Sequence, residues 1–331
     1  MRALVMTAPS QGPDRTEVRD VEAPCPGTGE VTIDVAHAGI NFIDVMARRG
    51  DAGYASWPFA PGKEVAGTVR EVGAGVTGLT SGQRVAAFLP GAGGLAEVAL
   101  APAALTVPVP DEVPSAVAAA APLMLATALL LLTDAARFSP GETVLVHSAS
   151  GGVGGAVAQL VPVLGGGRLV GTVGRADKIP TALKSGYDAA VPRDGDLAEA
   201  VRAAADGGVD VILDPLGTAL LDADVEVINP GGRVVLFGNA GGGQAAALPG
   251  LDRLRAGNIA ISGFSISALA VTAPERVAVA LRRVLDLIAE GRLDVPVTEL
   301  GSLSEVPAAH QLLADGRGTG KYVARIGPAE S

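Results

Sequence analysis

A short apolar strand, a glycine-rich turn and a helix follow one another without a break near the middle of this chain of 331 residues. The strand is predicted at Thr143–Val146, and the helix continues through residues 155–161. Between them the pattern Ala149-x-Gly151-x-x-Gly154 departs from the dinucleotide-binding glycine pattern only in its first residue, which is still small. Glycines let the backbone approach a pyrophosphate, and the unpaired N–H groups at the helix start favour negative charge. The pattern therefore predicts dinucleotide binding by Ser150, Gly151, Gly152, Val153 and Gly154. A glycine turn in another kind of α/β protein is the alternative.

The next predicted strand, Leu169–Val173, is followed by cations. Gly174 stands where an NAD site carries an acidic residue that binds the ribose 2′-hydroxyl, and Arg175 and Lys178 come next. Guanidinium and ammonium groups suit a 2′-phosphate, so we predict NADPH as the cofactor, with these three residues in contact with it. Asp177 keeps NAD open as an alternative, and Arg175 and Lys178 could be ordinary solvated charges at a helix start.

Further motifs occur in order along nearly the whole chain. They read N-F-x-D-x-x-x-R-x-G from Asn41, G-x-E-x-x-G from Gly62, and G-x-G-K-x-V from Gly318. Together with the turn and the strand end, they resemble the medium-chain dehydrogenase/reductase superfamily, in its zinc-independent quinone oxidoreductase (zeta-crystallin-like) branch, to which polyketide enoyl reductases are similar. The resemblance implies an α/β fold, with a Rossmann-type doubly wound parallel sheet and a strand-rich GroES-like catalytic domain.

The pattern of predicted elements divides the chain accordingly. Residues 120–264 alternate strands and helices, as a doubly wound sheet requires, and form the expected Rossmann NADPH-binding domain. Residues 1–119, rich in strands and turns, together with 265–331, form the expected GroES-like catalytic and substrate domain. The closing strand, predicted at 321–326, returns to that domain by resemblance.

Composition excludes several classes of function. A net charge of −10 argues against nucleic acid as a partner, because an acidic surface is repelled by the phosphate backbone. One cysteine, Cys25, forms no disulfide framework. The longest apolar run, Ala116–Leu132, contains Pro122 and is predicted to be a buried helix rather than a membrane span. We expect a cytoplasmic protein with a small-molecule substrate and no membrane.

No metal site is expected. Zinc-dependent relatives hold the catalytic metal with a cysteine in the first domain and a histidine in a G-H-E turn. Here the turn reads Gly62-Lys63-Glu64 and no cysteine lies near Asn41. The three histidines, His37, His147 and His310, are far apart in sequence and are each expected to be packed or on the surface. The chemistry that the resemblance then implies is direct hydride transfer.

Three residues are candidates for catalysis in the cleft that the resemblance implies. Asn41 matches the asparagine that lines the nicotinamide pocket, Tyr54 is a candidate proton donor, and Lys63 replaces the histidine of the zinc-type turn. Tyr54 could instead anchor a loop, and Lys63 could only pair with a nearby carboxylate. Met46 and Ala52 stand where quinone reductases of this branch often have tyrosines, which predicts a more apolar pocket for a bulky or acyl-type alkene.

Other cofactor contacts are also implied by resemblance. The residues expected near the nicotinamide, its ribose or the cofactor phosphates are Thr127, Arg193, Phe237, Gly238, Asn239 and Lys321. Arg193 is included because Pro192 replaces the family's tyrosine at the adenosine phosphate, and Phe237 could be a plain core aromatic.

The interpretation is therefore an NADPH-dependent oxidoreductase that reduces a quinone or a conjugated double bond without zinc. A zinc-free alcohol dehydrogenase or carbonyl reductase and a non-catalytic, crystallin-like NADPH-binding protein are the alternatives. The resembled branch commonly pairs its subunits by joining the cofactor-domain sheets at an edge. The alternation of apolar and small residues at 258–264 predicts such an edge strand, and we therefore expect a homodimer.

Overall fold

The computed structural model describes residues 1–51, 56–242 and 244–327. Within them the chain forms two compact units: unit 1 comprises residues 1–126 and 266–331, and unit 2 comprises residues 127–265. The first boundary falls at residue 126 rather than 119. It lies inside a continuous apolar helical segment, which hydropathy alone does not divide.

The strands are β1 (Arg2–Met6), β2 (Thr16–Asp20), β3 (Glu30–Ile40), β4 (Glu64–Val72), β5 (Arg84–Phe88), β6 (Val98–Pro102), β7 (Thr106–Pro108), β8 (Val144–His147), β9 (Leu169–Val173), β10 (Ala189–Pro192), β11 (Val209–Asp214), β12 (Ile228–Leu236), β13 (Ala260–Gly263), β14 (Val297–Leu300) and β15 (Lys321–Arg325). The α-helices are α1 (Phe42–Arg49), α2 (Ser115–Ala118), α3 (Ala126–Leu130), α4 (Gly152–Val163), α5 (Ile179–Lys184), α6 (Leu197–Ala205), α7 (Leu221–Val227), α8 (Leu251–Gly257), α9 (Ile266–Thr272), α10 (Pro274–Ala289) and α11 (Val306–Ala314).

Unit 1 is built on a seven-stranded sheet in the order β14-β15-β3-β4-β5-β7, with β6 also paired to β3. Its central strand β3 alternates apolar and polar residues at its start, and Val31, Ile33 and Val35 are buried in the core. The closing strand β15 pairs antiparallel with β3, so that Tyr322 lies opposite Ile40. This pairing brings the end of the chain beside Asn41, the residue that follows β3.

Unit 2 is built on a six-stranded parallel sheet in the order β10-β9-β8-β11-β12-β13. The strand order reverses between β8 and β11, and ligands of such sheets bind at the carboxyl ends of the strands at this point. The strands expected from the sequence are present. The strand β12 begins at Ile228, and its pairing with β11 skips from Ile228 to Arg233 across Pro230, Gly231 and Gly232.

One segment, Ser115–Ala135, is long and apolar enough to cross a membrane by length and composition, and 78% of its most apolar window is buried within the protein. Core helices of water-soluble proteins have the same composition. The segment contains two π-helical stretches, Ala121–Leu125 and Leu131–Ala135, and Pro122 lies in the first. Because proline lacks an N–H group, it accounts for the irregular helix at that point.

Candidate functional site

The glycine turn connects β8 to α4. Gly151 is the N-cap of α4 and has extended backbone, with φ −86° and ψ 176°, and it has no side chain to bind the first N–H groups of the helix. A β-carbon on Gly154 would come within 2.6 Å of the carbonyl oxygen of Ala149, so only glycine allows the helix to pack this closely on the turn. Ser148 has a left-handed backbone (φ 61°), which is uncommon for a residue other than glycine. Among the described residues, no side chain caps the first N–H groups of α4, and these groups suit an anion.

Two residues that the sequence analysis did not single out support this turn. A β-carbon on Gly171 of β9 would come within 2.4 Å of the Ala149 β-carbon, which explains how alanine is accommodated at the first position of the pattern. The buried Tyr187 hydroxyl donates a hydrogen bond of 2.8 Å to the carbonyl oxygen of Gly154. A glycine inside a predicted strand was the available signal for Gly171.

The end of β9 is covered by an arginine from the neighbouring strand. The Nη2 atom of Arg193 would lie 2.8 Å from a β-carbon on Gly174. Its Nη1 atom lies 3.4 Å from Thr172 Oγ1 and 3.5 Å from Ser148 Oγ. The guanidinium thus occupies the place where an NAD-type site has its carboxylate.

Arg175 points to a different partner. Its guanidinium donates two hydrogen bonds to the Asp177 carboxylate, at 3.2 and 2.7 Å, and both side chains are exposed. Burial lowers the pKa of Lys178; Asp177 opposes this, and Arg175 and Arg193 lower it further. Three cations therefore lie close together at this strand end, where Asp177 pairs with Arg175 and the charge of Asp214 acts on Arg193. The remaining positive charge favours an anion as ligand.

A buried polar network lies beside this strand end. His147, which is 1% exposed, contacts Thr172 Oγ1 through Nδ1 and Asp224 Oδ1 through Nε2, each at 2.8 Å. Asp214 accepts the Leu216 N–H at 2.6 Å, and burial raises its pKa to about 6. The full burial of His147 agrees with its predicted packing. Asp224 was missed, since nothing in the local sequence of α7 indicates its partner.

Oxygen and nitrogen donor atoms of His147, Asp214 and Asp224 lie within 4.8 Å of one another, a set that can hold a metal ion by composition. Both ring nitrogens of His147 already contact a hydroxyl or a carboxylate, however. A metal ion would have to displace one of these hydrogen bonds. We therefore interpret the group as a hydrogen-bonded network.

The loop after β12 carries the other predicted cofactor residues of unit 2. The Phe237 N–H donates to the Asp214 carbonyl oxygen at 2.9 Å, and Phe237 is only half-buried, unlike a plain core aromatic. A β-carbon on Gly238 would come within 2.7 Å of the Pro215 carbonyl oxygen, and one on Gly217 within 2.5 Å of Asn239 Oδ1. The loops after β11 and β12 are thus packed against each other.

Thr127, the other residue predicted near the nicotinamide, is buried in α3.

In unit 1, Asn41 is held by an ion pair between two distant parts of the chain. The Lys321 ammonium donates to Asn41 Oδ1 at 2.7 Å and to the Glu64 carboxylate. Asn41 Nδ2 donates in turn to Glu64 Oε1 at 2.9 Å. Glu64 is 0% and Lys321 4% exposed. Both ends of the Asn41 amide are therefore fixed in orientation.

This geometry changes the role of Lys321. Its third N–H bond goes to the Ile40 carbonyl oxygen at 3.1 Å, so all three donors of the ammonium are used inside unit 1. None is left for a cofactor phosphate, which was the predicted contact. The resemblance identified the residue, but its partner Glu64 could not be assigned from spacing along the chain.

Lys63 and Asp44 lie on either side of the same turn. The Lys63 ammonium donates to the Pro90 carbonyl oxygen, and burial lowers its pKa while the charge of Asp44 opposes this. Asp44 accepts the N–H groups of Gly62 and Asn41 at 3.0 and 3.1 Å, and burial raises its pKa to about 6. Met46 is buried. The candidate proton donor Tyr54 and the neighbouring Ala52 lie outside the described residues.

Two family models match the chain. The alcohol dehydrogenase GroES-like domain matches residues 27–111, and the zinc-binding dehydrogenase model matches residues 152–288.

Individual proteins agree with these matches. A 2-haloacrylate reductase of a Burkholderia species is 34% identical over 238 residues, which cover 70% of this chain and 71% of the relative. The structure of Escherichia coli quinone oxidoreductase complexed with NADPH matches with a TM-score of 0.88 and 28% identity, over 98% of this chain and 100% of that one. The spectinabilin polyketide synthase system protein NorB of Streptomyces orinoci is 36% identical over 327 residues; the match covers 93% of this chain, but the chain spans only 14% of NorB.

The two sheets, the glycine turn and these matches define a fold with a GroES-like unit and a Rossmann unit. The chain belongs to the medium-chain dehydrogenase/reductase family.

The residues of unit 1 do not fit the zinc that the second family model names. No cysteine lies near Asn41 in the sequence, and the amide of Asn41 is engaged by Lys321 and Glu64. Lys63 stands at the position of the histidine ligand, and an ammonium group repels a metal cation. The Asn41 amide is thus part of a hydrogen-bonded group with Lys321 and Glu64, and this group is not a set of zinc ligands.

Proposed function

We propose that this protein is an NADPH-dependent, zinc-independent reductase of a quinone or of a conjugated carbon–carbon double bond. The observation that carries the proposal is the pairing of an uncapped glycine turn with the Arg193 guanidinium over Gly174. The turn suits a pyrophosphate, and the guanidinium suits a 2′-phosphate.

The residues of unit 2 fit the cofactor as follows. The N–H groups at the start of α4, from Gly152 to Gly154, bind the pyrophosphate. Arg193 and Lys178 bind the 2′-phosphate, and Arg175 contributes less because Asp177 already neutralises it. Thr127 and the loop 237–239 contact the nicotinamide half, as in the family resemblance.

Bound NADPH supplies the hydride. The Asn41 amide has a fixed orientation, because its oxygen accepts from Lys321 and its nitrogen donates to Glu64. With this orientation Asn41 positions the reacting groups. The buried ion pair thus acts through Asn41, and Lys321 and Glu64 are positioning residues. Hydride addition to an enone leaves an enolate oxygen, which needs a hydrogen-bond donor and a proton. Tyr54 stays our predicted donor, and Lys63 stays a candidate to stabilise the negative charge.

The pocket residues implied by resemblance and the names of the relatives support the proposed substrate class. Met46, in place of a tyrosine, makes its surroundings more apolar, which suits an alkene conjugated to a carbonyl group. The names of the relatives, a 2-haloacrylate reductase and a quinone oxidoreductase, support the same two classes. The match to a polyketide synthase protein supports an enoyl thioester as a third member of the panel.

We further propose a cytoplasmic homodimer without nucleic acid or membrane as partner. The strand β13 is an edge of the unit 2 sheet, pairs only with β12 in the described part of the chain, and is largely exposed. An exposed edge strand offers unpaired backbone groups to a second copy.

A substrate panel tests the proposed activity. Quinones, enals, enones and enoyl thioesters are each mixed with the protein and NADPH, and the loss of NADPH absorbance is followed. With an enone and deuterium-labelled NADPH, we expect deuterium on the β-carbon and a solvent proton on the α-carbon. Deuterium on the carbonyl carbon would instead support the carbonyl reductase alternative, and binding without turnover of any compound would support the crystallin-like one.

The predicted proton donor has its own test. Tyr54→Phe removes only the hydroxyl, and a proton donor lost in this way typically lowers the rate by about 10²-fold or more. The affinity for NADPH should not change. An unchanged maximal rate would remove Tyr54 from the mechanism and leave the family assignment as it is.

A further inference from the structure

We propose that the buried chain of hydrogen bonds Asp224–His147–Thr172 positions Arg193, and so sets the preference for a cofactor with a 2′-phosphate. The inference rests on the proposed function, because it takes Arg193 as the residue that binds this phosphate. None of the three residues contacts the cofactor in this scheme; each acts through the next.

The direction of each hydrogen bond follows from the Asp224 carboxylate. The proposal takes the Asp224 carboxylate as the acceptor, which places the imidazole proton on Nε2, 2.8 Å from Asp224 Oδ1. The other nitrogen, Nδ1, then carries a lone pair and accepts the Thr172 O–H at 2.8 Å. With its hydrogen turned towards His147, the Thr172 oxygen keeps its lone pairs for other donors.

Arg193 is the donor that uses this lone pair. Its Nη1 lies 3.4 Å from Thr172 Oγ1, and Ser148 Oγ is the second hydroxyl nearby, at 3.5 Å. A guanidinium group has N–H donors and no acceptor. If the imidazole proton moved to Nδ1, the Thr172 hydroxyl hydrogen would be free to turn towards the guanidinium and repel it. Asp224 therefore acts on the position of Arg193 through two hydrogen bonds, in addition to the direct attraction between the Asp214 carboxylate and the guanidinium.

The fold holds Asp224, His147 and Thr172 in fixed positions relative to one another. His147 ends β8 and Thr172 lies opposite it on β9, so that the two are paired in register in the parallel sheet. Both are buried, and Asp224 on α7 is 1% exposed. Asp224 Oδ2 has no hydrogen-bond partner among the described residues. A buried carboxylate with so few partners is destabilising by itself, so a role in positioning gives a reason for its presence.

The test compares cofactor affinities. Dissociation constants for NADPH and NADH are measured for the unaltered protein and for Asp224→Leu, Thr172→Val and Thr172→Ser. We expect Asp224→Leu and Thr172→Val to weaken NADPH binding about five-fold or more and to leave NADH binding nearly unchanged, as the loss of one positioned charge-assisted contact implies. Thr172→Ser keeps the hydroxyl and should keep the preference. Asp222→Asn, on the exposed face of the same helix, is the matched control and should change neither constant.

Two further readouts separate positioning from a general structural role. In an Arg193→Leu background, Thr172→Val should have no further effect on NADPH binding, because the residue that it positions is gone. Nitrogen-15 NMR of the labelled histidines, of which the chain has 3, should show the Nε2–H form at His147. An imidazole protonated on Nδ1, or on both nitrogens, would overturn the proposal.

The outcomes also distinguish this proposal from the proposed function. If Arg193→Leu removes the preference for NADPH but Thr172→Val does not change it, the relay is wrong and the cofactor assignment stands. If the unaltered protein binds NADH as tightly as NADPH, the cofactor assignment itself fails. Thr172→Val replaces a side chain by one of nearly the same shape, so this arm remains informative if Asp224→Leu does not fold.

Discussion

Arg193 lies over Gly174 at such close range that a β-carbon on residue 174 would come within 2.8 Å of the guanidinium. The two residues are on different strand ends, after β10 and after β9. A side chain at position 174 and the present position of Arg193 therefore exclude each other. The same volume holds either a carboxylate for a ribose hydroxyl or a guanidinium for a phosphate.

The first prediction compares the two arginines at this site. Arg193→Leu should weaken NADPH binding at least about ten-fold, since a hydrogen bond to a charged group contributes about 1.5–3 kcal/mol. Arg175→Leu should have a smaller effect, because Asp177 already pairs with Arg175. Calorimetric titration with NADPH and NADH measures both. A larger loss with Arg175→Leu would contradict our assignment of the phosphate site.

The second prediction concerns metal. Because Lys63 replaces the histidine of the zinc-type turn and no cysteine lies near Asn41, turnover should be unchanged after dialysis against a strong chelator. Elemental analysis of the purified protein should find no stoichiometric zinc. If chelation abolished the activity and zinc restored it, the proposal of a zinc-independent reaction would be refuted. If zinc were bound without any effect on activity, His147, Asp214 and Asp224 would be the first residues to test as its ligands.

The third prediction concerns the buried ion pair of unit 1. Lys321→Met leaves the Glu64 carboxylate buried without its cation, which typically destabilises a protein by about 3–5 kcal/mol. Arg325→Met is the matched control on the same strand: its pair with Glu299 is partly exposed, and such pairs contribute about 0–1 kcal/mol. Urea unfolding of both variants gives the two values. Similar values for the two variants would show that Glu64 is stabilised by its other hydrogen bonds.

The fourth prediction concerns pH. Burial, with a contribution from Arg48, lowers the pKa of His310 to about 3. Between pH 6.5 and this value the unfolded chain binds a proton that the folded protein does not, so stability falls as the pH is lowered, by at most about 1.4 kcal/mol per pH unit. Asp44, whose carboxylate lies 3.8 Å from His310, acts in the opposite direction, because its pKa is raised to about 6.

A difference measurement isolates the histidine. The free energy of unfolding is measured from pH 7 to pH 4 for the unaltered protein and for His310→Leu. The variant keeps Asp44 and Arg48 but lacks the titrating imidazole. We expect the advantage of the unaltered protein over the variant to shrink steadily as the pH falls. A constant difference would show that His310 takes up a proton equally in both states.

The fifth prediction concerns assembly. Light scattering at micromolar concentration should give about twice the chain mass of 32.8 kDa. Ile261→Lys places a charge in the edge strand β13 and should shift the mass towards that of one chain. A mass of 32.8 kDa for the unaltered protein at all concentrations would refute the homodimer.

Features encoded by adjacent residues could be predicted from the sequence. The glycine turn depends on a strand, a turn and a helix that are consecutive, and β9 was predicted to the residue at Leu169–Val173. The position of Arg193 could be suggested, but not its contact with Gly174, because that contact depends on the twist and spacing of two strands. The partners of His147 and Lys321 are 77 and 257 residues away in sequence, and only the folded sheet brings them together.

The pair of Glu64 and Lys321 has a consequence for hybrid proteins. Unit 2 is inserted between the two segments that hold these residues. A chimera that joins the first part of this chain to the last part of a relative exchanges one partner of a buried pair and keeps the other. Replacing residues 127–265 alone keeps both partners within one parent. We therefore expect hybrids with two crossovers, one on each side of the Rossmann unit, to fold more often than hybrids with a single crossover inside it.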